Sequence, residues 1–568
     1  MIAFLTHRFT SDRRQRHLLF LAAALVSIGI TGYYFGTFDQ FAHVPFMKSY
    51  ADPTLYPTDP FITAMRDQNY SYFWHFLALI YRVDLAFDNA QPYVLAVVMF
   101  ALHLFATYFT FWMFWELSYE LFNNYTTTFL STVVFIIPHV GFGGFPVFEW
   151  SLLNRTFVLP FLLWAILLYL RKQYLWAFLL AGVVFNLHVI SVMFLMAMLG
   201  LDMLGRWRTL GWRIPLASGA LFLLGSAPVL LWRLSAKTET PFMDALWFDM
   251  IARGSIYHLF YMFAPYLHVL LITSFGLSCY ALYFIARRQV SSNHHEPTIR
   301  RFMLAVTIVL GVQVVTSQFA PITLIIQLQI IRAGMFALIF GYLYFVHYLV
   351  TRREANEISP PDFGWLMGTL LGFPSPLLPV LVWGTQWKFS SARARQIIAV
   401  VLIAVHLIVV SPFLLSFHLW QPGFHPFGPQ NGWYAAQMWA KHNTPKDTLF
   451  ITPPEKWSLY DSDWRVFSER GTVVTLADLL MVALVPEYTA TWKERFDQLA
   501  PGALDQFAGN FFDNQATTSA AYYSHSRDDY LRIGAQYHAR YIVMARPHTL
   551  ALPVAYENAE YVIYELEK

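Results

Sequence analysis

Acidic and imidazole side chains are concentrated in the polar run that follows the first apolar segment of the chain. The run reads FDQFAHVPFMKSYADPTLYPTDPF over residues 38–61 and includes Asp39, His43 and Asp59. A carboxylate in such a loop can deprotonate an acceptor hydroxyl, and a second acid or His43 can orient it or support a metal ion. We therefore predict that Asp39, followed directly by Gln40, is a base assisted by His43 or Asp59. The alternative is that these acids cap helices or solvate a surface loop.

A second group of polar residues suits the binding of an anion. Arg332 lies in IQLQIIRAGMF, and Gln329 precedes it by three residues on the same face of a predicted helix. A guanidinium at a membrane boundary is costly unless it is paired, and its fork of donors matches a phosphate. We predict that Arg332 contacts a phosphate. Snorkelling to the lipid headgroups, or a salt bridge with a loop acid, would also satisfy it.

Three further residues complete the predicted substrate-binding set. Glu149 and Arg155, in FEWSLLNRTF, offer a second acid and a second phosphate clamp, and an internal ion pair is equally compatible with the pattern. His188, in FNLHVIS, can bind a phosphate, act as a base or cap a broken helix. The residues predicted to bind substrate are Gln40, Glu149, Arg155, His188, Gln329 and Arg332.

The composition indicates that membrane-spanning helices position these residues. Hydrophobic residues make up 57% of the 568-residue chain, charged residues 13%, and the mean hydropathy is +0.44. A soluble protein carries about twice that charged fraction. The net charge of +3 gives no indication of a nucleic-acid partner, and we expect none. The single cysteine, Cys279, excludes an intramolecular disulfide.

Basic residues recur in short loops between the apolar segments, which marks those loops as cytoplasmic. The pattern predicts a cytoplasmic N-terminus, a retained signal-anchor helix and eleven crossings. These lie at 18–36, 91–117, 127–140, 156–170, 173–187, 189–204, 214–232, 264–286, 302–319, 322–350 and 396–416. The stretch 364–384 must cross zero or two times. Counted as two short helices with a tip at Pro374–Pro376, it raises the total to thirteen.

The depth of the polar residues can be calculated from the nearest basic loop. At 1.5 Å per residue, four of them lie about 24–35 Å away, near the outer edge of a hydrocarbon core about 30 Å thick. These residues are Asp39, Arg155, His188 and Arg332. Four chemically useful groups at one depth, on four separate spans, are expected to line one outward-facing cavity.

Two segments between the crossings, and the tail, have patterns of their own. Residues 70–83 suit a helix in the outer interface, and Asn186 with His188 divides the run 174–204 into two short helices. From residue 417 a helix capped by Asn431 and several β-rich runs predict a small α/β domain. We divide the chain into a transmembrane domain at 1–416, with a first extracytoplasmic loop at 37–90, and an extracytoplasmic domain at 417–568.

Several motifs resemble those of the GT-C class of polytopic membrane glycosyltransferases. GTFDQFAHVP followed by DPTLYPTDPF is similar to the first-loop motif of bacterial GT-C-like proteins. LQIIRAGMF resembles their late-helix Gln/Arg motif, and NTPKDTLFITPPE with SDWRVFSERG resembles the start of their tail domain. The layout matches over nearly the whole chain. The chain lacks an Asp-Glu pair at Asp39 and the WWDYG signature, so the resemblance leaves metal dependence and protein-acceptor glycosylation open.

The resemblance implies a mainly α-helical fold with about eleven to thirteen transmembrane helices and a C-terminal α/β domain. Asp39 would match the first-loop acid that serves as a base or supports a metal, and Arg332 would contact the phosphate of a polyprenyl-phosphate sugar. A divalent cation stays open as a cofactor, and no nucleotide cofactor is expected.

We accordingly expect a glycosyltransferase of the bacterial inner membrane. It would move a sugar from a polyprenyl-phosphate donor to an envelope glycan, lipid or protein at the outer face, with its C-terminal domain in the periplasm. A glycan ligase or polymerase, a transporter or flippase of a lipid-linked saccharide, and an envelope scaffold are the alternatives.

Overall fold

The computed structural model describes residues 12–87, 92–235, 240–254, 259, 266–288, 294–389, 391–416, 422–507 and 511–566, and is mainly helical. The helices up to residue 416 are α1 (Arg13–Thr31), α2 (Gln40–Ala51), α3 (Pro60–Gln68), α4 (Tyr72–Ala86), α5 (Tyr93–Phe122), α6 (Tyr125–Val134), α7 (Asn154–Leu170), α8 (Tyr174–Phe185), α9 (Val189–Gly205), α10 (Trp207–Leu210), α11 (Arg213–Leu234), α12 (Ala245–Gly254), α13 (Tyr266–Arg287), α14 (Glu296–Phe319), α15 (Thr323–Gln327), α16 (Gly334–Glu354), α17 (Pro360–Gly372), α18 (Leu377–Lys388) and α19 (Ala392–Ser416).

Among the described residues, six helices are long and apolar enough to cross a membrane. They are α5, α11, α13, α14, the segment Ile330–Glu354 and α19. Shorter apolar helices accompany them at α7, α8, α9 and Leu377–Gln386. These helices are consistent with a polytopic membrane protein. The number of eleven to thirteen crossings stays a prediction.

Two predicted spans are interrupted. The span at 127–140 is helical only as far as Val134, and residues 135–153 form a mostly buried irregular segment that includes the 3₁₀ turn Phe142–Gly144. The span at 322–350 breaks after α15, where Gln329 has a φ of 44° before the 3₁₀ turn Ile330–Ala333. Non-helical backbone at membrane depth persists only where protein covers its polar groups. These two segments cover each other, since Gly143 and Gly334 pack against Ile331 and Phe142, respectively.

Other predicted elements are confirmed. The break at residues 186–188 separates α8 from α9, and the stretch 364–384 forms the two short helices α17 and α18 around residues 373–376. Asn186 stabilises the break, because its amide donates to Gly225 O at 2.7 Å and its oxygen accepts from Val229 N at 3.0 Å. The helix predicted at 70–83 is observed as α4, and its place in the outer interface stays a prediction.

The basic loops meet at one end of the helical bundle. Arg171, after α7, contacts Glu120 on α5 at 2.8 Å, and the same glutamate lies 3.3 Å from His295 before α14. Asp202 near the end of α9 contacts Arg301 on α14 at 2.5 Å. The polar residues predicted for the site lie at the other ends of these helices, about 24 Å away along α7.

The tail forms an α/β domain, as its sequence predicts. Its helices are α20 (Gly432–Asn443), α21 (Trp464–Ser468), α22 (Thr489–Leu499), α23 (Phe511–Tyr522) and α24 (Arg527–Tyr537), and the strands of the protein are β1 (Tyr33–Tyr34), β2 (Phe424–His425), β3 (Leu449–Ile451), β4 (Gly471–Thr472), β5 (Ala539–Ala545), β6 (Val554–Glu557) and β7 (Tyr561–Glu565). Among the described residues, a five-stranded sheet runs in the order β4-β3-β5-β7-β6, parallel at β4-β3-β5 and antiparallel beyond. Asn431 caps α20 by accepting from Tyr434 N.

The segment 37–87 is a folded layer between the membrane helices and the tail. Strand β1, directly after α1, pairs with β2 at the start of the tail. Helices α2, α3 and α4 share one hydrophobic core with the tail. On α2 the ammonium group of Lys48 donates to Glu469 at 2.7 Å, and the Tyr81 hydroxyl of α4 donates to the same carboxylate at 2.6 Å.

A buried ion cluster fastens this layer to the tail. The guanidinium of Arg465 donates to Asp59 at 2.6 Å and to both oxygens of Asp478 at 2.9 and 3.0 Å, and Asp463 lies 3.3 Å away. None of these side chains is exposed to solvent. A buried charge without a partner is strongly unfavourable, so the four residues stabilise one another and fix the tail in place.

Asp59→Ala should destabilise the protein strongly because it removes a partner from a fully buried guanidinium. We expect a loss of about 3–5 kcal/mol, read as a lower thermal unfolding midpoint in detergent. The matched control is Asp52→Ala, which removes an ion pair with the half-exposed Lys446 and should cost about 1 kcal/mol or less. Equal effects of the two substitutions would contradict the role assigned to the cluster.

The same cluster should make stability depend on pH. Burial raises the pKa of Asp463 to about 7 against the opposing effect of Arg465, since three carboxylates surround one guanidinium. The folded protein therefore holds a proton there that the unfolded chain releases above about pH 4. Stability from this group is complete below about pH 4 and is lost as the pH rises to about 7. Unfolding midpoints measured from pH 5 to 8 should fall less in Asp463→Asn than in the wild type; identical slopes would contradict this assignment.

Candidate functional site

A cavity of about 420 Å³ lies between the membrane helices and the tail, at the end of the bundle away from the basic loops. Its walls come from the layer 37–87, the two irregular segments, helices α7 to α9, α11, α13, α15 and α19, and the tail. Seven of the residues predicted for the site line it: Asp39, His43, Glu149, Arg155, His188, Gln329 and Arg332. The four of them that were expected to share one cavity, Asp39, Arg155, His188 and Arg332, do so. The chemical roles of all seven stay predictions.

Asp39 lies at the start of α2, directly after Phe38, which has a left-handed backbone conformation with a φ of 49°. Its Oδ2 accepts a hydrogen bond from Arg155 Nη2 at 2.5 Å. Burial alone would raise the pKa of Asp39, but the guanidiniums of Arg155 and then Arg332 outweigh it and hold the pKa below its usual value. Asp39 is therefore an ionised carboxylate at neutral pH, held by an arginine.

Arg155, in the first turn of α7, bridges two carboxylates. While Nη2 binds Asp39, Nε donates to Glu149 Oε1 at 2.8 Å and Oε2 at 3.0 Å. Its remaining nitrogen, Nη1, has no acceptor among the described residues. The internal ion pair left open by the sequence is therefore present, in a guanidinium that also lines the cavity.

Arg332 approaches the same carboxylate from the second irregular segment. Its Nη1 lies 4.0 Å from Glu149 Oε1, and its Nε donates to Gln329 Oε1 at 2.5 Å. The guanidinium stacks on Phe145, 3.8 Å from the ring centre, which stabilises a cation by cation–π attraction. Gln329 and Arg332 were expected on one face of a helix. They meet instead because the backbone leaves the helix at Gln329, whose side chain then orients the arginine.

Two neutral histidines line the cavity; one offers a hydrogen-bond acceptor and the other a hydrogen-bond donor. His43 Nδ1 lies 2.5 Å from Asp39 O, so it carries the proton and leaves Nε2 as an acceptor. Burial lowers the pKa of His43 to about 4, and its ring stacks on Trp74. His188 caps α9, where Nδ1 accepts from Ser191 N at 3.2 Å and leaves Nε2 as a donor.

Two predicted site residues lie elsewhere. Asp59 is enclosed by Arg465 and caps α3 through Phe61 N and Ile62 N, so its charge is used in the buried cluster and it does not assist at the cavity. Gln40 is also fully buried: its oxygen accepts from Gly36 N at 2.6 Å and its amide donates to Leu152 O at 2.8 Å. Both residues position the surroundings of the site.

Part of the lining was not predicted from the sequence. Arg233, at the end of α11, contributes a further guanidinium beside the Tyr70 hydroxyl, with an Nη1 to oxygen distance of 3.3 Å. One indication of this role was present in the sequence, because Arg233 is a basic residue directly after a span that is predicted to end on the outer side. The tail covers the cavity with Trp457, Leu480, Met481, Leu484, Val485 and Phe512, for which the sequence offered no signal.

The membrane helices supply apolar side chains to the lining in addition to the charged Arg155 and Arg233. These apolar residues include Phe185, Val189, Val229, Leu230, Ile272 and Phe413. The cavity therefore combines five charged groups with a hydrocarbon-like wall. A ligand with an anionic head and an apolar tail matches this combination.

The described residues contain no group of three or more His, Cys, Asp or Glu side chains that could hold a metal ion. At the cavity, Asp39 and Glu149 both accept from Arg155. Each of these carboxylates therefore binds a guanidinium.

Comparison with known proteins adds one finding in the tail. A family model described as a domain of unknown function (DUF6798) matches residues 431–499. No curated protein matches the chain. The matched residues include Arg465, Glu469 and Asp478 of the contacts with the 37–87 layer, and Trp457 and the 480–485 segment that cover the cavity. The charged residues of the cavity lie outside the match.

Gln40→Ala should loosen the wall behind Asp39, because it leaves Gly36 N and Leu152 O buried without their partner. We expect a loss of about 1–3 kcal/mol in stability, measured as a lower unfolding midpoint in detergent. Gln506→Ala provides the comparison, since Gln506 is exposed and should contribute little. An unchanged midpoint for Gln40→Ala would reject the bracing role.

Proposed function

We propose that this protein is a GT-C-type glycosyltransferase that takes a sugar from a polyprenyl-phosphate donor and passes it to an envelope glycan, lipid or protein. The observation that carries the proposal is the joining of a carboxylate–guanidinium chain to an apolar wall in one cavity. A lipid-linked phosphate requires both surfaces at once. The motif resemblance in the first loop and at Arg332 points to the same class.

In the proposed reaction, Asp39 accepts the proton of the acceptor hydroxyl. The acceptor oxygen then forms a bond with the anomeric carbon of the sugar, and the bond from that carbon to the phosphate oxygen breaks. The prenyl phosphate leaves with the bonding electron pair. Arg332 and Arg155 would stabilise the negative charge that develops on it, since fixed donors in a water-poor site favour such charge.

The arrangement around Asp39 supports an ordered sequence of binding. In the free site its carboxylate is held by Arg155, which keeps its pKa low. A donor phosphate that binds to Arg155 would share this guanidinium and make Asp39 a stronger base. The acceptor would then meet an active base only when the donor is present.

The proposed orientation follows from the two ends of the bundle. The end rich in basic loops would face the cytoplasm, as expected from the distribution of Lys and Arg in short loops. The cavity and the tail would then lie at the outer face of a bacterial inner membrane. At that face a donor carried by a lipid is accessible, and a nucleotide sugar is not required.

Asp39→Asn tests the assignment of the base. Asparagine still accepts a hydrogen bond from Arg155 but cannot take a proton, so sugar transfer should fall by at least about a hundredfold while lipid-phosphate binding is kept. Transfer is measured in proteoliposomes with a panel of polyprenyl-phosphate sugars. Asp67→Asn, at an exposed carboxylate of the same layer, is the matched control.

Three outcomes would reject parts of this proposal. Retained transfer in Asp39→Asn would exclude Asp39 as the base. Movement of a lipid-linked saccharide across the bilayer, without transfer, would identify a transporter. Full prenyl-phosphate binding in Arg332→Ala would remove Arg332 from the phosphate site.

A further inference from the structure

The two carboxylates of the cavity have different surroundings. Asp39 receives one hydrogen bond from Arg155, whereas Glu149 lies between Arg155 and Arg332, the two groups proposed to hold the donor phosphate. Glu149 Oε1 is 2.8 Å from Arg155 Nε and 4.0 Å from Arg332 Nη1. A phosphate that binds both arginines must therefore come close to the carboxylate of Glu149.

The backbone holds Glu149 at this position. One residue further along the chain, the carbonyl of Trp150 accepts from Tyr34 N at 2.7 Å, and Leu152 O accepts from Gln40 at 2.8 Å. On the other side, Val147 N donates to His139 O at 3.0 Å. The segment that carries Glu149 is thus fixed by contacts on both sides, and the carboxylate can rotate but cannot withdraw far.

Five charged groups line the cavity. Asp39 and Glu149 contribute two negative charges, and Arg155, Arg332 and Arg233 contribute three positive ones, so the net formal charge is +1 and Glu149 is one of two groups that repel an anion. A phosphodiester carries one negative charge, and a phosphomonoester carries about −1.5 to −2 at neutral pH. In the proposed reaction the donor is a prenyl phosphodiester and the product a prenyl phosphomonoester, so Glu149 repels the product more strongly than the donor.

We propose that Glu149 weakens the binding of the prenyl phosphomonoester product at the phosphate site more than the binding of the prenyl phosphodiester donor. The proposal rests on the proposed function and assigns to Glu149 a part in product release. If Glu149 served only to orient the two arginines, its removal would weaken the binding of both lipids, because the guanidiniums would lose their orientation.

The test compares two lipids with the same chain, farnesyl phosphate and its methyl diester. Dissociation constants are measured by calorimetry for the full-length protein in detergent at pH 7.5. Glu149→Gln should bind the monoester about tenfold more tightly than the wild type does, and the diester about fourfold more tightly, since the gain scales with ligand charge. At pH 5 the monoester carries close to one charge, and the two gains should converge.

Glu120→Gln is the matched control. Glu120 also accepts from an arginine, Arg171, at 2.8 Å, but at the opposite end of the bundle. Both affinities should stay at the wild-type values in this variant.

A second variant, Glu149→Ala, keeps the proposal open to refutation if Glu149→Gln does not fold. It also removes the negative charge, and it should show the larger gain in affinity for the monoester at pH 7.5. Equal gains for the two lipids at this pH would overturn the proposal. Unchanged or weaker binding in a folded Glu149→Gln protein would also overturn it while leaving the proposed function intact. If neither lipid binds to the wild type or the variant, the proposed function itself fails.

Discussion

A charged side chain that leaves water is stable only beside an opposite charge, and this constraint holds the two ends of the chain together. Arg465 in the tail is fully buried and forms an ion pair with Asp59 in the layer that follows the first helix. Glu469 forms an ion pair with Lys48 in the same layer. Because neither half can bury these charges alone, the tail and the layer depend on each other. The family match to residues 431–499 thus covers a region whose polar core is completed by residues about 400 positions earlier.

The cavity uses the same kind of pairing with a different result. The side chains of Asp39, Arg155, Glu149 and Arg332 are between 12% and 23% exposed, while that of Arg465 is 0% exposed. The fully buried ion pairs of Arg465 stabilise the fold. Partly open pairs can exchange an internal partner for a ligand, because the ligand reaches them without unfolding the surroundings. This difference separates the candidate site from the ion cluster that fastens the tail.

The broken spans give the cavity its chemistry. A regular helix uses its own backbone polar groups and displays side chains at fixed intervals. The segments 135–153 and 328–333 are not α-helical where they cover each other. As a result, Glu149, Phe145 and Arg332 lie against one another. Gly143, with a φ of 76°, permits the first of these turns. The positions of the charges therefore depend on the mutual packing of two segments that are far apart in the sequence.

Much of the architecture could be predicted from local patterns. The apolar stretches identified the membrane helices, Asn431 marked the start of α20, and the β-rich runs anticipated β3, β5 and β7. Helical rise converts sequence distance into height, and on this basis Asp39, Arg155, His188 and Arg332 were expected at one level; all four line one cavity. The prediction of continuous spans failed at 127–140 and 322–350. Both segments have the composition of crossings, and hydropathy does not detect a break that another segment covers.

The roles of individual acids were beyond the reach of sequence patterns. Asp39 and Asp59 occupy the same polar run and have the same chemistry, yet one reaches the cavity and the other a buried arginine of the tail. The hydrophobic spans, the strands of the tail and the height of the charged groups follow from periodicity and helical rise, and both can be read from the sequence. The pairing of the charges depends on the tertiary structure, because it requires lateral contacts between elements hundreds of residues apart.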